Sequence, residues 1–297
     1  MAVLRASDPV TATPWFEDAV VETADGTPIA VRFHQPVVAA RGAVLIVPAM
    51  GVPQSFYAPF ATWLTEHGFH AATFDYRGMG RSKRGSLRDV DADIVTWAEQ
   101  DTGAVLRELR VRAPGLPVTW IGHSLGGQIV PFVPEREGVE KIITVATGSG
   151  YWRENAPQLK RKVWIFWWLA APVLTPLFGY FPGKKLGMVG DLPRGVIRQW
   201  RKWCLQPEYA VGDGDETRAL FAGVTTPITS FAFTDDDMMS EANVASIHSF
   251  YTSAPRTMRR LSPDEIGVPR VGHFGFFRSE LKGPLWEGRV LRELATR

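Results

Sequence analysis

Cysteine is nearly absent from this sequence: the 297 residues contain only one, Cys204. A single cysteine cannot form an internal disulfide, and it excludes zinc sites that are built from Cys-x-x-Cys pairs. An excess of charge of one sign is also absent, since the formal net charge is +2 and the charged residues are scattered along the chain. Without a basic stripe to follow a phosphate backbone, a nucleic-acid partner is not expected.

A secretory signal is missing from the amino terminus as well. Residues 1–5, and the Asp8-Pro9 pair that follows them, lack the apolar core of such a signal. We therefore expect a cytoplasmic protein. Hydrophobic residues make up 45% of the chain and charged residues 22%, so the chain can bury a core, and its length suits one large α/β domain.

Short apolar runs recur along the chain and predict strands that are buried on both faces. A predicted hairpin over 19–34, with its turn at Asp25-Gly26, precedes them. Segments between the runs have helical periodicity, as over 94–109. Strands that alternate with helices indicate an α/β fold, with a mostly parallel sheet and helices on both faces. The predicted strands of this sheet are 43–47, 69–74, 118–121, 142–145, 227–233 and 256–261.

The alternation stops after residue 146 and resumes about eighty residues later. Six of the chain's 11 tryptophans lie in between, and the residues there have helical rather than strand patterning. We predict a core domain formed by residues 1–146 and 223–297. Residues 147–222 are predicted to be a helical, tryptophan-rich lid inserted into it.

Residues 122–126 read Gly-His-Ser-Leu-Gly, a Gly-x-Ser-x-Gly motif. The motif directly follows the predicted strand 118–121 and precedes a predicted helix. A sharp turn from a strand into a helix lifts the serine hydroxyl clear of the backbone, and the glycines leave room for that turn. This context predicts that Ser124 is a nucleophile.

A serine hydroxyl becomes an effective nucleophile only when a base takes its proton. Of the six histidines, His273 lies in a glycine-flanked loop, residues 271–275, between the last predicted strand and a predicted closing helix over 279–295. A base in that loop reaches the edge of the sheet where the carboxyl ends of the parallel strands lie. We predict that His273 is the base for Ser124.

The imidazole in turn needs a carboxylate to hold its tautomer and stabilise its charged form. In the chain order serine, acid, histidine, the acid follows a strand between the other two residues. Asp235, Asp236 and Asp237 come directly after the predicted strand 227–233. Asp236 is our first choice, Asp237 and then Asp235 are alternatives, and Asp264 is a weaker one.

Acyl transfer also needs two N–H donors for the oxyanion that forms on the attacked carbonyl. The residue after the nucleophile supplies one donor, which here is the backbone N–H of Leu125. The loop after the predicted strand 43–47 supplies the other, and Met50 in that loop is the expected donor through its backbone. The Met50 side chain is expected to help wall the acyl pocket.

These motifs resemble the α/β-hydrolase superfamily. Residues 75–82, Asp-Tyr-Arg-Gly-Met-Gly-Arg-Ser, are similar to the family's Asp-x-Arg-Gly-x-Gly-x-Ser turn after an early strand. The chain looks most like the serine aminopeptidase-like and lysophospholipase-like branch of predicted bacterial hydrolases, to which residues 179–184 and 272–277 are similar. The resemblance runs from about residue 19 to the end, the insert aside, and implies the α/β-hydrolase fold with serine-hydrolase chemistry.

Two positions depart from the family's pattern. The usual His-Gly of the oxyanion loop is replaced by Ala49-Met50-Gly51, which removes a side chain and keeps the backbone donor. The acid loop lacks the proline that is common four residues after the catalytic aspartate, where Ser240 stands if Asp236 is the acid. The second departure leaves the choice among the three aspartates open.

The expected reaction is hydrolysis of a small ester or thioester with an apolar acyl or ring portion, through an acyl-enzyme on Ser124. This chemistry requires no metal and no organic cofactor. An acyltransferase or a cyclase that uses the same acyl-enzyme is an alternative, as is a non-catalytic small-molecule receptor on this fold. An amidase or peptidase also stays open, whereas a haloalkane dehalogenase is disfavoured because it needs a carboxylate at the nucleophile position.

Aromatic residues of the predicted lid are candidates for a substrate-facing wall. Trp164, Phe166, Trp167 and Trp168 form the densest cluster of them. The alternative for each is that it only packs the lid against the core.

The apolar run over 163–181 approaches the length of a membrane-spanning helix. Pro172, Pro176 and Gly179 interrupt it, and a single span here would place Ser124 and His273 on opposite sides of a bilayer. We therefore expect no integral membrane span, and peripheral contact of the lid with a lipid surface stays possible.

Overall fold

The computed structural model describes residues 15–188 and 190–295 of the chain. The expectation of a cytoplasmic protein rests on residues 1–14, which lie outside the described residues, as does the first part of the predicted core domain.

A single sheet organises the described residues. Its strands are β1 (Trp15–Glu22), β2 (Pro28–Gln35), β3 (Gly42–Val47), β4 (Phe69–Phe74), β5 (Val118–His123), β6 (Val139–Val145), β7 (Ile228–Phe233) and β8 (Arg256–Leu261). They stand in the order β1-β2-β4-β3-β5-β6-β7-β8. β2 is antiparallel to both of its neighbours, and all other neighbouring pairs are parallel. The mostly parallel sheet predicted from the sequence is thus confirmed.

Helices connect the strands and cover the sheet. The α-helical segments are α1 (Ala58–Glu66), α2 (Ile94–Thr96), α3 (Gly103–Arg112), α4 (Leu125–Gln128), α5 (Pro157–Ile165), α6 (Ala171–Phe178), α7 (Arg194–Leu205), α8 (Asp215–Ala222), α9 (Glu241–Ser249) and α10 (Leu291–Ala295). π-helical turns over Trp97–Thr102, Phe166–Ala170 and Lys282–Val290 extend several of them.

The two faces of the sheet bury separate apolar clusters, because successive side chains of a strand point to opposite faces. In β3, Leu45 and Val47 join a cluster with residues of α3 and of the segment between β6 and β7. Val44 and Ile46 join the other cluster, with residues of α1 and of the carboxyl-terminal helix. The central strands are therefore fixed from both sides.

The segment between β6 and β7 is mostly helical. α5, the π-helical turn after it and α6 run on as one helix from Pro157 to Phe178, roughly 33 Å long. One side of this helix, including Val163, Phe166 and Trp167, packs into the same apolar cluster as the sheet. Of the helices within residues 15–188 and 190–295, none combines the length and the apolar character needed to cross a membrane.

The parallel strands bring four loops to one edge of the sheet. The carboxyl ends of β3, β5, β7 and β8 lie there, so the residues that follow each of these strands are neighbours in space. Ser124 follows β5, the three aspartates follow β7, and His273 lies beyond β8.

Candidate active site

The backbone turns sharply at Ser124. This residue lies between β5 and α4 with φ at 50° and ψ at −112°, a conformation that is rare for residues with a side chain. Its N–H donates to the carbonyl oxygen of Val145 at 2.9 Å, which ties the turn to β6. A Cβ on Gly122 would overlap the carbonyl of Gly126, and one on Gly126 would overlap that of Val47. The turn therefore needs glycine at both flanking positions.

His273 and Asp236 form a buried pair at the same edge of the sheet. The His273 Nδ1 lies 2.9 Å from Oδ2 and 3.1 Å from Oδ1 of Asp236. The Asp236 Oδ1 also accepts from the N–H groups of Met238 and Met239, at 2.8 and 2.9 Å. Because a carboxylate only accepts, Nδ1 carries a proton and donates it to Asp236.

The neighbouring aspartates have other contacts. The Asp235 Oδ2 accepts from the N–H groups of Val271 and Gly272, at 2.8 and 3.0 Å, and thereby holds the loop that carries His273. Asp237 lies at the surface, 3.2 Å from a guanidinium nitrogen of Arg270. Of the three adjacent carboxylates, only that of Asp236 contacts the imidazole.

Ser124 and His273 line one small cavity of about 30 Å³. A cavity of this volume holds only a few water molecules. Its lining residues come from all four loops and from α7: Ala49, Met50, Ser124, Leu125, Gln128, Trp200, Met238, Met239, His273 and Phe274. A larger molecule therefore needs further space next to this cavity.

Two backbone N–H groups are free at this cavity. Neither the N–H of Met50 nor that of Leu125 donates to a protein group among the described residues. The N–H of Ala49 is occupied, since it donates to the hydroxyl oxygen of Tyr57 at 2.9 Å. Within this loop, the N–H of Met50 is therefore available to a ligand, whereas that of Ala49 is not.

A buried histidine beside the serine links three parts of the site. The Nδ1 of His123 lies 2.9 Å from the hydroxyl of Tyr57, and its Nε2 lies 3.0 Å from the carbonyl oxygen of His273. A carbonyl only accepts, so Nε2 donates and Nδ1 accepts from Tyr57. Burial lowers the pKa of His123 to about 3, and the nearby His273 adds to this shift. The ring is therefore neutral at physiological pH.

The turn over 75–82 is hydrogen-bonded to the segment that follows β3. The Asp75 carboxylate accepts from the backbone N–H of Gln54 at 2.8 Å and from that of Arg81 at 2.9 Å. The Ser82 hydroxyl donates to the Asp75 carbonyl at 2.6 Å. These bonds connect the loop after β4 with the loop after β3, which carries Met50.

A second, larger hollow adjoins the small cavity at Ser124. We call it the apolar chamber; it has a volume of about 430 Å³ and shares Trp200, Met238 and Met239 with the cavity at Ser124. Nearly all of its exposed lining is carbon. Its lining residues are Gly150, Asn155, Leu159, Lys162, Val163, Ile165, Phe166, Trp167, Ala170, Met188, Trp200, Cys204, Met238 and Met239.

Two sides of one helix carry the four aromatic residues that the sequence suggests as candidates for a substrate-facing wall. Phe166 and Trp167 are buried and line the apolar chamber. Trp164 and Trp168 are half-exposed on the opposite side and line neither the chamber nor the cavity at Ser124. Helical geometry separates them, since residues 166 and 167 fall on the inner face and the others on the outer face.

Several residues of the site were missed by sequence reasoning. Tyr57 and Trp200 make their contacts with residues that are distant in the chain, so no local pattern marks them. Asp235 was named only as an alternative acid, and its contact with the loop of His273 was not predicted. His123 directly precedes Ser124 in the sequence, and this position was the only sequence feature that pointed to His123. Among residues 15–188 and 190–295, no three side chains of the His, Cys, Asp and Glu types lie together as a metal site would require.

The sequence is similar to that of a known protein family. The model of the family described as serine aminopeptidase, S33, matches residues 38–186. The uncharacterised protein YfhR of Escherichia coli K12 is 28% identical over 148 residues, which are 46% of this chain and 50% of YfhR. The chain thus spans about half the length of this relative.

Solved structures resemble nearly the whole chain. A thermostable carboxyl esterase from Bacillus coagulans has a TM-score of 0.63 at 16% identity, covering 94% of this chain and 98% of the esterase. A Pyrococcus furiosus esterase has a TM-score of 0.60 at 14% identity, covering 98% of this chain and 95% of the esterase. A soluble variant of monoglyceride lipase from Saccharomyces cerevisiae has a TM-score of 0.58 at 19% identity, covering 86% of this chain and 88% of the lipase. These likenesses confirm the predicted α/β-hydrolase fold.

Proposed function

Because the chain belongs to the serine aminopeptidase S33 family and has the α/β-hydrolase fold, we propose that it hydrolyses an ester or thioester with an apolar acyl or ring portion. Ser124, His273 and Asp236 are the proposed catalytic residues. The observation that supports this most is the buried His273–Asp236 pair, at 2.9 Å, because His273 also lines the small cavity at the strained Ser124.

The proposed reaction has two halves. In the first, the Ser124 Oγ attacks the substrate carbonyl carbon while His273 Nε2 takes the hydroxyl proton, and the N–H groups of Met50 and Leu125 stabilise the oxyanion. The bond to the leaving group then breaks, and His273 returns the proton to the leaving oxygen or sulfur. In the second half, water attacks the acyl-enzyme and His273 again transfers the proton, which frees the acid and restores Ser124.

The apolar chamber supports an apolar acyl portion. It adjoins the cavity at Ser124 through Trp200, Met238 and Met239, and its lining offers almost no polar surface. Ligand sites of this size usually hold a molecule that matches their polarity. We propose that residues 147–222, which supply most of this lining, serve as a lid on a core of residues 1–146 and 223–297.

The family's description makes aminopeptidase activity the second candidate. An aminopeptidase must hold the α-ammonium group of its substrate on the acyl side, which favours a nearby carboxylate. Among the described residues, no Asp or Glu lines the cavity at Ser124 or the apolar chamber. The acyl side is therefore better suited to an uncharged, apolar group.

A labelling experiment tests the proposal. After incubation with a fluorophosphonate, intact mass should show one adduct on the wild type and none on Ser124→Ala. In parallel, a chain-length series of p-nitrophenyl esters and an aminoacyl p-nitroanilide should give turnover only with the esters. An unlabelled, folded wild-type protein would instead favour the non-catalytic receptor, and turnover of the anilide alone would favour the peptidase.

A product analysis separates the hydrolase from the acyltransferase or cyclase. With a medium-chain ester as substrate, the free acid should be the dominant product even when an alcohol or amine acceptor is present. Formation of an acylated acceptor, or of a cyclic product, at the expense of the acid would show that another nucleophile replaces water.

A further inference from the structure

One side of the helix from Pro157 to Phe178 is exposed and carries no charge from residue 164 onward. Its solvent-facing positions come in pairs at intervals of four residues, and every member of these pairs is apolar. Leu169 and Leu177 have exposed fractions of 60% and 70%. We call this surface the outer face; it comprises Trp164, Ile165, Trp168, Leu169, Pro172, Val173, Pro176 and Leu177.

A continuous apolar surface of this kind needs a partner. Single exposed apolar residues are common on any protein, but contiguous ones usually mark a binding surface. The inner side of the same helix already satisfies its packing, since Val163, Phe166 and Ala171 are buried in the core. The outer face is therefore an additional surface, and the fold does not require it to be apolar.

Basic residues border the outer face. The Lys185 Nζ lies 4.8 Å from the ring centre of Phe178, at the end of the helix. Arg198 and Arg201 line a hollow together with Pro172 and Pro176. Arg153 lies over the ring of Trp152, which itself packs edge-on against Trp168 at 5.1 Å.

The charge of this segment has one sign. Residues 157–188 contain no Asp and no Glu, although the whole chain has a net charge of only +2. Their basic residues are Lys160, Arg161, Lys162, Lys184 and Lys185. An apolar helix face with a basic border matches the chemistry of an anionic lipid surface, whose acyl region accepts the apolar side chains and whose headgroups attract the lysines.

The apolar chamber opens toward the same surface. Ile165 belongs to the outer face and also lines the chamber, and the exposed Met188 lines it too. Lys162, at the basic border, is a third residue of the chamber lining. An acyl chain that leaves a lipid surface under the outer face would therefore meet the mouth of the chamber first.

We propose that the outer face docks on an anionic lipid surface and places the chamber mouth against it. A second copy of this chain fits less well, because a symmetric contact through this face would bring two basic borders together. Docking itself does not depend on catalysis. The delivery of an acyl chain to Ser124 does rest on the proposed function, and the test below separates the two.

The test is co-sedimentation with vesicles of phosphatidylcholine, alone or mixed with phosphatidylglycerol. The full chain should bind the mixed vesicles, with a loss of binding at high salt because the lysines are screened. The double variant Leu169→Glu/Leu177→Glu should lower the affinity roughly tenfold or more, since two apolar side chains no longer enter the lipid. Neither residue lines the chamber, so turnover of p-nitrophenyl acetate should stay unchanged.

Val111→Glu is the matched control, because Val111 is 72% exposed on α3 and lies outside the insert. It should bind vesicles as the wild type does. The proposal is overturned if the wild type binds neither vesicle, if it binds neutral vesicles equally well, or if the double variant binds as tightly as the control. A stable dimer that the double variant abolishes, without vesicle binding, would show that a second copy covers the face. Missing fluorophosphonate labelling would overturn the proposed function and leave the docking result standing.

Discussion

The imidazole of His123 donates its Nε2 hydrogen to the carbonyl oxygen of His273, 3.0 Å away. The other ring nitrogen accepts from Tyr57, whose hydroxyl oxygen accepts in turn from the N–H of Ala49. A single neutral ring, next to Ser124 in the chain, thus connects the loop that carries His273 with the loop that carries Ala49 and Met50. We infer that His123 positions the base and the oxyanion donors without touching the substrate.

Replacing His123 tests this positioning role. His123→Ala leaves the Tyr57 hydroxyl and the His273 carbonyl without their buried partner, and we expect kcat to fall by roughly ten- to a hundredfold. His123→Gln keeps a side-chain N–H and should retain more of the activity. The measurement is the acylation burst with p-nitrophenyl acetate, together with KM for the same ester.

A positioning role also predicts that the loss of activity appears in kcat rather than in KM. Because His123 does not line the cavity at Ser124, KM should change little while kcat falls. Equal acylation rates for the wild type and His123→Ala would show that the bonded ring is dispensable. A Gln variant as slow as the Ala variant would indicate that the ring's shape matters more than its N–H.

The sequence predicts the fold well and the site in part, and the reason for each is physical. Buried strands such as β3 and β7 differ from their predicted bounds by one residue, because continuous apolar runs between turns leave little freedom. By contrast, the Tyr57–His123 hydrogen bond joins residues from different elements, and only the tertiary packing creates it. Composition likewise does not say which side of a helix a tryptophan takes, so the exposure of Trp164 could not be foreseen.

Replacing each of the three adjacent aspartates with asparagine is expected to lower the activity to a very different extent. Asp236→Asn keeps the shape of the side chain but no longer holds His273 in the productive tautomer, so kcat should fall by about 10³- to 10⁴-fold. Asp237→Asn should have almost no effect, because that carboxylate lies at the surface against Arg270. Steady-state kinetics on the purified variants measures both.

The kcat of Asp235→Asn is expected to lie between those of Asp236→Asn and Asp237→Asn. The variant weakens the acceptor for the Val271 and Gly272 N–H groups, so the loop of His273 should become less well placed. We expect a loss of a few-fold in kcat with a lower melting temperature. A larger loss for Asp235→Asn or Asp237→Asn than for Asp236→Asn would contradict the assignment of the acid.

Buried neutral histidines are expected to make the protein sensitive to acid. Burial lowers the pKa of His34 to about 4, from an ordinary value of 6.5, and His123 and His248 are shifted in the same direction. As the pH falls through about 6.5, the unfolded chain takes up protons that the folded chain does not. Stability is therefore lost between about pH 6.5 and 4, by up to about 1.4 kcal/mol per pH unit for each histidine.

His34→Phe tests this linkage. The His34 Nε2 is buried without a hydrogen-bond partner among the described residues, so a phenyl ring should be tolerated and stability at pH 7 should not fall. At pH 5 the variant should be more stable than the wild type, since it has one proton fewer to bind on unfolding. Urea unfolding over a pH series measures the slope, and an unchanged slope would mean that His34 does not contribute.

Filling the apolar chamber is expected to shift the substrate preference toward esters with shorter acyl chains. Ala170 lines the chamber, and Ala170→Phe would place a ring in space that a long chain needs. The ratio of kcat/KM for p-nitrophenyl decanoate to that for the acetate should drop roughly tenfold or more, because several methylenes lose their buried position. Val173→Phe, on the outer face of the same helix, is the matched control and should keep the wild-type ratio. If both variants keep that ratio while fluorophosphonate still labels Ser124, the acyl chain binds elsewhere and the chamber has another role.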